Sequence, residues 1–388
     1  MTQAKVFPVV VLVGPRQVGK TSLLERVFTE HRFVPFDVRA HAEMAETRPE
    51  DFLARYPPPL LLDEVQYAPA FFRHIKTTVD AQRDARGLFV LTGSQNFTLM
   101  ASVADSLAGR AAVIPFHSLS AAEWRAGMPM GAGDETEFLW RGGFPALWAH
   151  EAEPDAPGPT RDRWYQGYLA TYLERDVRSL LRVGSLRDFE RFLRAAAARV
   201  SQLLNLSDLA RDVGISVPTA KEWLSVLQAS GQVFLLEPYH RSLGKRLTKS
   251  PKLYFCDTGL AAFLSGFQSA AALWHSQRAG AFLECFVVAQ ALRWRDWQAP
   301  SAGLWFFRDQ GGHEVDLLIE MDGQLHPIEV KLSERPTVRD FRSYNRLVKL
   351  YGDDAVAPGI LACTTPSPYA VSPRITAKSA WDFADLLC

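Results

Sequence analysis

Residues 14–21 read Gly-Pro-Arg-Gln-Val-Gly-Lys-Thr, between the apolar run Val9-Val10-Val11-Leu12-Val13 and the helix-forming stretch Ser22-Leu23-Leu24-Glu25-Arg26. A buried strand, a tight glycine turn and a helix start, in that order, form the setting a phosphate-binding loop requires. Gly14 and Gly19 let the backbone bend so that its N–H groups point inward at phosphate oxygens. Lys20 reaches the β- and γ-phosphates, Thr21 offers a hydroxyl to Mg²⁺, and the helix N-terminus adds its positive dipole. Pro15, Arg16, Gln17, Val18 and Ser22 complete the predicted cradle. The segment therefore predicts a nucleoside triphosphate site.

At 388 residues, with 47% hydrophobic and 22% charged residues, the chain predicts two or three ordinary soluble domains. Its net charge is zero, so no global field recruits nucleic acid or an anionic membrane. Local charge is less even: Arg161 to Phe255 carries 16 Lys/Arg against 9 Asp/Glu, a net of +7. Cys256, Cys285, Cys363 and Cys388 show neither a disulfide framework nor zinc-ligand spacing, which suits a reducing cytosol. The N-terminal apolar run is too short to span a bilayer. The expectation is a cytoplasmic protein with no membrane partner.

Leu60-Leu61-Leu62-Asp63-Glu64 is an apolar strand ending in two carboxylates, reached through Pro57-Pro58-Pro59. It is expected to lie beside the loop strand, with Asp63 organising the Mg²⁺ shell and Glu64 polarising the attacking water. Gly87-Leu88-Phe89-Val90-Leu91-Thr92-Gly93-Ser94 is a further buried strand ending in small polar residues. Ser94, then Asn96, is the candidate to reach the γ-phosphate or the water. Such strands separated by helical stretches predict a parallel sheet with its chemistry at the carboxyl ends.

These motifs, with Ser106-Leu107-Ala108-Gly109-Arg110, Tyr172-Leu173-Glu174-Arg175-Asp176 and Lys249-Ser250-Pro251-Lys252-Leu253-Tyr254-Phe255-Cys256-Asp257-Thr258-Gly259-Leu260, carry a resemblance. The chain resembles the prokaryotic AAA+-type ATPases that carry a C-terminal domain of unknown function. The resemblance implies an ATPase domain followed by a winged helix and a nuclease-like domain, and adenine as the base. It also makes Arg110 a candidate γ-phosphate sensor, or an arginine finger offered to a neighbouring subunit of a homo-oligomer.

The proline-rich stretch Glu151 to Thr160 is the expected boundary after the first domain. Beyond it, Leu206 to Leu224 reads as helix, glycine turn, polar cap and second amphipathic helix, a helix-turn-helix pattern. Val233 to Tyr239 then fits a wing strand. The second helix either enters a DNA major groove or serves as a protein-packing module or ATPase lid.

In His313-Glu314-Val315-Asp316-Leu317-Leu318-Ile319-Glu320-Met321-Asp322-Gly323-Gln324-Leu325-His326-Pro327-Ile328-Glu329-Val330-Lys331, Asp322-Gly323 is a strong hairpin turn between alternating runs. Folding about it sets Asp316 opposite Glu329 and Glu314 opposite Lys331, all on one face. Facing carboxylates repel unless a cation sits between them, and Mg²⁺ or Mn²⁺ with oxygen ligands relieves that conflict. Asp followed by Glu-x-Lys resembles the restriction-endonuclease-like nucleases, in which the acids hold the metal and the lysine orients or activates water. Glu284, a lone acid in the apolar stretch Gly280 to Val288, is the expected third ligand.

The predicted fold class is α/β: an AAA+-type P-loop NTPase parallel sheet (1–155), a helical and winged-helix segment (156–262) and a restriction-endonuclease-like domain (263–388). The predicted activity is ATP hydrolysis by Lys20, Thr21, Asp63 and Glu64 coupled to DNA. Glu284, Asp316, Glu329 and Lys331 form a metal-dependent nuclease site in one reading; in the other the chain is an ATP-switched DNA- or protein-binding module whose nuclease-like domain is inert.

Overall fold

Every residue of the first strand, β1 (Val9–Val13), is buried, so the sheet around it must be covered on both faces. In the computed structural model, which describes residues 2–93, 103, 105–127, 134–149, 160–178, 186–239 and 250–387, it is. Val9, Val11 and Val13 enter a core with Phe36, Phe52, Phe71 and Leu62. Val10 and Leu12 face the other way, onto Leu24, Leu61 and Val90. Each such side chain contributes roughly 1.5–3 kcal/mol by leaving water. The described residues form two compact units, Met1–Ser118 with Ala229–Gly231, and Leu119–Gln228 with Gln232–Cys388.

In the first unit, β1 joins β2 (Arg32–Pro35), β3 (Leu60–Asp63), β4 (Phe89–Gly93) and β5 (Ala111–Pro115) in the order β2-β3-β4-β1-β5. All four pairings are parallel, giving the α/β P-loop NTPase fold. One expectation is corrected here. The acid-bearing β3 does not lie beside β1, because β4 is interposed and pairs with both. The register aligns Val13 with Gly93 and Leu62 with Leu91, so the three strands end together and their polar termini converge. Helix α1 (Lys20–Val27) starts directly beyond β1. Helix α2 (Phe71–Ala81) turns Phe71, Phe72, Ile75 and Val79 into the larger core.

The second unit contains two sheets. In the smaller, β6 (Gln202–Leu203), β7 (Val233–Leu236) and β8 (Lys252–Phe255) run β6-β8-β7, with antiparallel pairing throughout. Helix α3 (Arg161–Tyr172) precedes this group. Helix α4 (Leu186–Ala197) comes before β6, and α5 (Leu206–Val213) and α6 (Val217–Ala229) lie between β6 and β7. Asn205 caps α5 by accepting from the Asp208 amide at 3.1 Å, and Gly214 ends it at φ 81°, a left-handed turn that suits glycine.

The larger sheet is mixed, ordered β13-β14-β12-β11-β10-β9, with β9 (Gly303–Arg308), β10 (Glu314–Met321), β11 (Gln324–Lys331), β12 (Gly359–Cys363), β13 (Tyr369–Ser372) and β14 (Ile375–Ser379). The predicted hairpin is present: Met321 pairs with Gln324, and Asp322 and Gly323 take φ of 52° and 79°. Helices α7 (Thr258–Leu264), α8 (Ala279–Gln298) and α9 (Arg342–Tyr351) complete the part used below.

The segment Asp257-Thr258-Gly259 has an architectural task. Buried Asp257 caps α7 through the Leu260 amide (3.1 Å) and also accepts from the Gly143 amide (2.9 Å) and the Tyr165 hydroxyl (3.2 Å). Gly259 packs directly on backbone, and a β-carbon there would fall well inside contact distance of the Arg141 carbonyl. Gly259→Ala should therefore cost roughly 1–3 kcal/mol as overpacking. Differential scanning calorimetry should show a melting temperature lowered by several degrees. Gly167→Ala in α3, where a β-carbon meets open space, should leave it unchanged or raised.

Candidate functional sites

The phosphate loop is bent by left-handed backbone at Gln17 (φ 60°) and Gly19 (φ 93°). Lys20, buried at the start of α1, folds back across the loop and donates to the Gly14 carbonyl at 2.9 Å and the Pro15 carbonyl at 2.7 Å. Gly14 must lack a side chain, because a β-carbon would collide with the Phe116 carbonyl. Opposite, Asp63 at the end of β3 accepts from Thr21 Oγ1 at 3.0 Å and from Thr92 Oγ1 at 2.9 Å. Burial pushes the Asp63 carboxyl upward, and the two hydroxyls only partly oppose that shift. A carboxylate so placed has neutral donors on both oxygens and gains from a cation. Glu64 follows in a left-handed conformation (φ 53°), its carboxylate accepting from the Gln66 side-chain amide.

Lys20, Thr21 and Asp63 are thus brought together as the sequence predicts, with Glu64 adjoining them in the chain. Thr92 was missed. It sits two residues before Ser94 in the same polar strand end, and its inward position follows only once β4 is known to flank β3. Ser94 and Asn96 lie outside the described residues. Arg110 is not brought to the loop in this chain. Its carbonyl accepts from the Val9 amide, at the opposite end of β1, and its guanidinium forks onto Asp80 of α2 at 2.6 and 3.1 Å.

The second cluster is built from five elements of the second unit. Lys252, at the start of β8 and only 2% exposed, directs its ammonium at Glu284 of α8 (2.8 Å) and at Glu314 (2.5 Å) and Asp316 (3.5 Å) of β10. Tyr254, two residues along the same face of β8, donates to Glu284 at 2.6 Å. The second Asp316 oxygen accepts from the Val330 amide at 2.9 Å. On β11, Lys331 donates to Glu329 Oε1 at 2.7 Å, while Glu329 Oε2 is buried with no hydrogen-bond partner. Arg308 of β9 holds the outer oxygen of Glu314 at 2.9 Å.

Four carboxylates therefore share three cations, and their proton affinities register the crowding. Burial, reinforced by Asp316, lifts Glu284 to about 7 against the pull of Lys252. Burial, Asp316 and Glu284 together lift Glu329 to about 8 despite Lys331. Burial disfavours the charged form of Lys252, but the surrounding carboxylates outweigh it and hold its pKa well above the usual lysine range.

One expectation about this face is corrected. Glu314 does not pair with Lys331: the hairpin ladder begins at Leu317 and Ile328, and the β9 edge shifts register between Val315 and Leu318. Glu314 turns instead to Lys252 and Arg308, and Lys331 to Glu329 on its own strand. The Lys252 ammonium lies against Glu284, Glu314 and Asp316, while Glu329 takes the Lys331 ammonium. Among the described residues no group of three or more His, Cys, Asp or Glu is arranged to hold a metal ion. A lysine opening an otherwise apolar strand was the available signal, since its burial demands partners.

Family models match the chain in three stretches: an AAA domain at residues 6–124, a domain of unknown function (DUF8612) at 133–271, and a second one (DUF4143) at 279–383. The chain is 31% identical over 342 residues to the uncharacterized protein Rv2008c of Mycobacterium tuberculosis, covering 87% of this chain and 73% of that one. The uncharacterized protein Mb2031c of Mycobacterium bovis matches to the same extent. The chain belongs to the family of these mycobacterial proteins. Among solved structures, the Walker-type ATPase of Pyrococcus abyssi matches at 16% identity and a TM-score of 0.43, over 68% of this chain and 92% of that one. The Thermotoga maritima RuvB Holliday junction branch migration motor matches at 17% identity and a TM-score of 0.30, over 58% and 81%. Lys252 falls within the DUF8612 match and its partners Glu284, Glu314 and Asp316 within the DUF4143 match, so the side chains of this cluster are drawn from both stretches. Among the described residues no helix is long and apolar enough to cross a membrane.

The raised Glu329 carboxyl has a measurable consequence. The folded protein keeps a proton there that the unfolded chain releases near 4.5, so Glu329 subtracts stability progressively as pH climbs from about 4.5 to about 8. Glu329→Gln should melt like the parent at pH 4.5 and above it at pH 8.5. A Tm difference that stays flat across that range contradicts the assignment.

Proposed function

We propose that the chain is an ATP-hydrolysing protein whose nucleotide cycle governs how a DNA-binding second unit engages its partner, and that the DNA is left uncut. The ATPase reading rests above all on the 3.0 Å bond from Thr21 to Asp63, which joins the loop helix to the acid strand. Gly14 to Thr21 and Ser22 would cradle the phosphates, with Lys20 leaving the loop carbonyls for the β- and γ-oxygens. Thr21 and Asp63 would hold Mg²⁺, which neutralises charge developing on those oxygens. Glu64 would orient and polarise the attacking water. Arg110 would serve a neighbouring subunit only by releasing Asp80.

We read the chain as three domains, 1–155, 156–262 and 263–388. The order α4, β6, α5, α6, β7, β8 with a β6-β8-β7 sheet supports a winged helix in the middle one. The outer face of α6 carries Lys221 beside Glu222 and is close to neutral. Residues 240–249, between β7 and β8 and outside the described residues, read His-Arg-Ser-Leu-Gly-Lys-Arg-Leu-Thr-Lys, with four basic residues and no acid. That composition favours DNA phosphate as the partner. The order α8, β9, β10, β11, α9, β12, with the acids on β10 and β11, supports a nuclease-like fold in the last domain. A divalent metal does not fit the arrangement described, because the Lys252 ammonium already uses oxygens of Glu284, Glu314 and Asp316.

The second reading, a nuclease, is favoured by Glu329 Oε2, a buried oxygen with no hydrogen-bond partner that would suit a ligand. One assay separates the two. ATP turnover and plasmid integrity are followed together in Mg²⁺ and in Mn²⁺. Lys20→Ala should abolish turnover, and Glu64→Gln should retain ATP while turnover falls roughly 10²–10⁴-fold. Asp316→Asn should leave turnover unchanged. DNA should bind with an affinity that falls steeply with salt and remain intact. Nicking that disappears with Asp316→Asn would establish the nuclease instead.

A further inference from the structure

Two residues beyond Glu64 the first unit buries an amide. Gln66 is 6% exposed and lies in the short 3-10 helix Val65–Tyr67, next to Val65 of the larger core. Its Nε2 donates to Glu64 Oε2, while its Oε1 is buried with no hydrogen-bond partner among the described residues. Exchanging the two amide atoms would face a carboxylate oxygen with a second acceptor, so the bond to Glu64 fixes the amide's orientation. A buried acceptor left unpaired lowers stability, and an apolar side chain of the same volume would avoid that loss. Packing alone therefore does not account for a glutamine at this position.

Glu64 is held in two ways. Its backbone is left-handed at φ 53°, a conformation that persists where the surroundings over-determine it, and its carbonyl accepts from the Tyr67 amide at 3.1 Å. That turn sets the direction in which the side chain leaves β3. The Gln66 amide then restrains the carboxylate, whose rotatable bonds would otherwise give it several positions. We propose that Gln66 is a positioning residue for ATP hydrolysis, holding the Glu64 carboxylate at the angle from which it orients the attacking water. The proposal rests on the ATPase reading, with Glu64 as the group that polarises that water. Gln66 acts through Glu64, so its loss should misplace the water without weakening nucleotide binding.

The test is ATP turnover and thermal melting of the full chain, for wild type, Gln66→Met, Glu64→Gln and the double variant. Gln66→Met keeps the volume and removes the amide. It should melt no lower than wild type and keep its KM for ATP, while kcat falls roughly 10–10²-fold. The double variant should turn over no more slowly than Glu64→Gln alone, because the amide then has nothing left to position. A kcat that Gln66→Met leaves unchanged would overturn the proposal, as would a raised KM with kcat kept. So would a double variant in which the two losses multiply. If Gln66→Met melts lower or does not fold, Gln66→Leu is judged by the same criteria. Destabilisation in both overturns the proposal, which gives the amide no task in folding. Wild type without turnover, or Glu64→Gln with wild-type turnover, defeats the ATPase reading and this proposal with it. Turnover that depends on Glu64 but not on Gln66 defeats this proposal alone.

Discussion

A carboxylate removed from water must be compensated by a positive charge, by hydrogen-bond donors or by keeping a proton, because its desolvation is costly. Both sites of this chain are organised around that requirement, and they meet it differently. Asp63 receives two threonine hydroxyls and no direct cation, so its carboxyl is held above its ordinary range. The acids of β10, β11 and α8 receive Lys252 and Lys331 directly. The first arrangement leaves charge to be supplied with the nucleotide, and the second supplies its own.

The two solutions depend on strand placement. With β4 between β1 and β3, a residue of β4 can stand over Asp63, and Thr92 does so. The shared carboxyl ends of the parallel strands put the loop, Asp63 and Thr92 in one layer, where α/β sheets gather ligands. In the second unit, β8 belongs to a different sheet from the hairpin, yet its lysine reaches the hairpin's acids. The Lys252 contacts with Glu284 and Asp316 span 32 and 64 positions of sequence.

That distinction also marks what could be read from the sequence. The phosphate loop, the Asp63 strand and the Asp322-Gly323 turn are local: glycine at positive φ, an apolar run and a two-residue hairpin each leave a signature within a few residues. Across the hairpin, Asp316 accepts from the Val330 amide, one residue beyond Glu329. The interposed β4 was not legible, because strand order is set by packing between distant segments. Lys252 was missed for the same reason. Its alternating partners in Lys252-Leu253-Tyr254-Phe255 show a strand, but nothing local says that the lysine face meets Glu284 and Asp316.

The contrast between the two sites predicts how many metal ions the protein holds and when. The most direct measurement is the stoichiometry of tightly bound Mn²⁺ on the wild-type chain, by electron paramagnetic resonance, with and without a non-hydrolysable ATP analogue. The account predicts none without the analogue and one per chain with it, lost in Asp63→Asn and kept in Asp316→Asn. A tightly bound Mn²⁺ without nucleotide, or a second one that depends on Asp316, would contradict it.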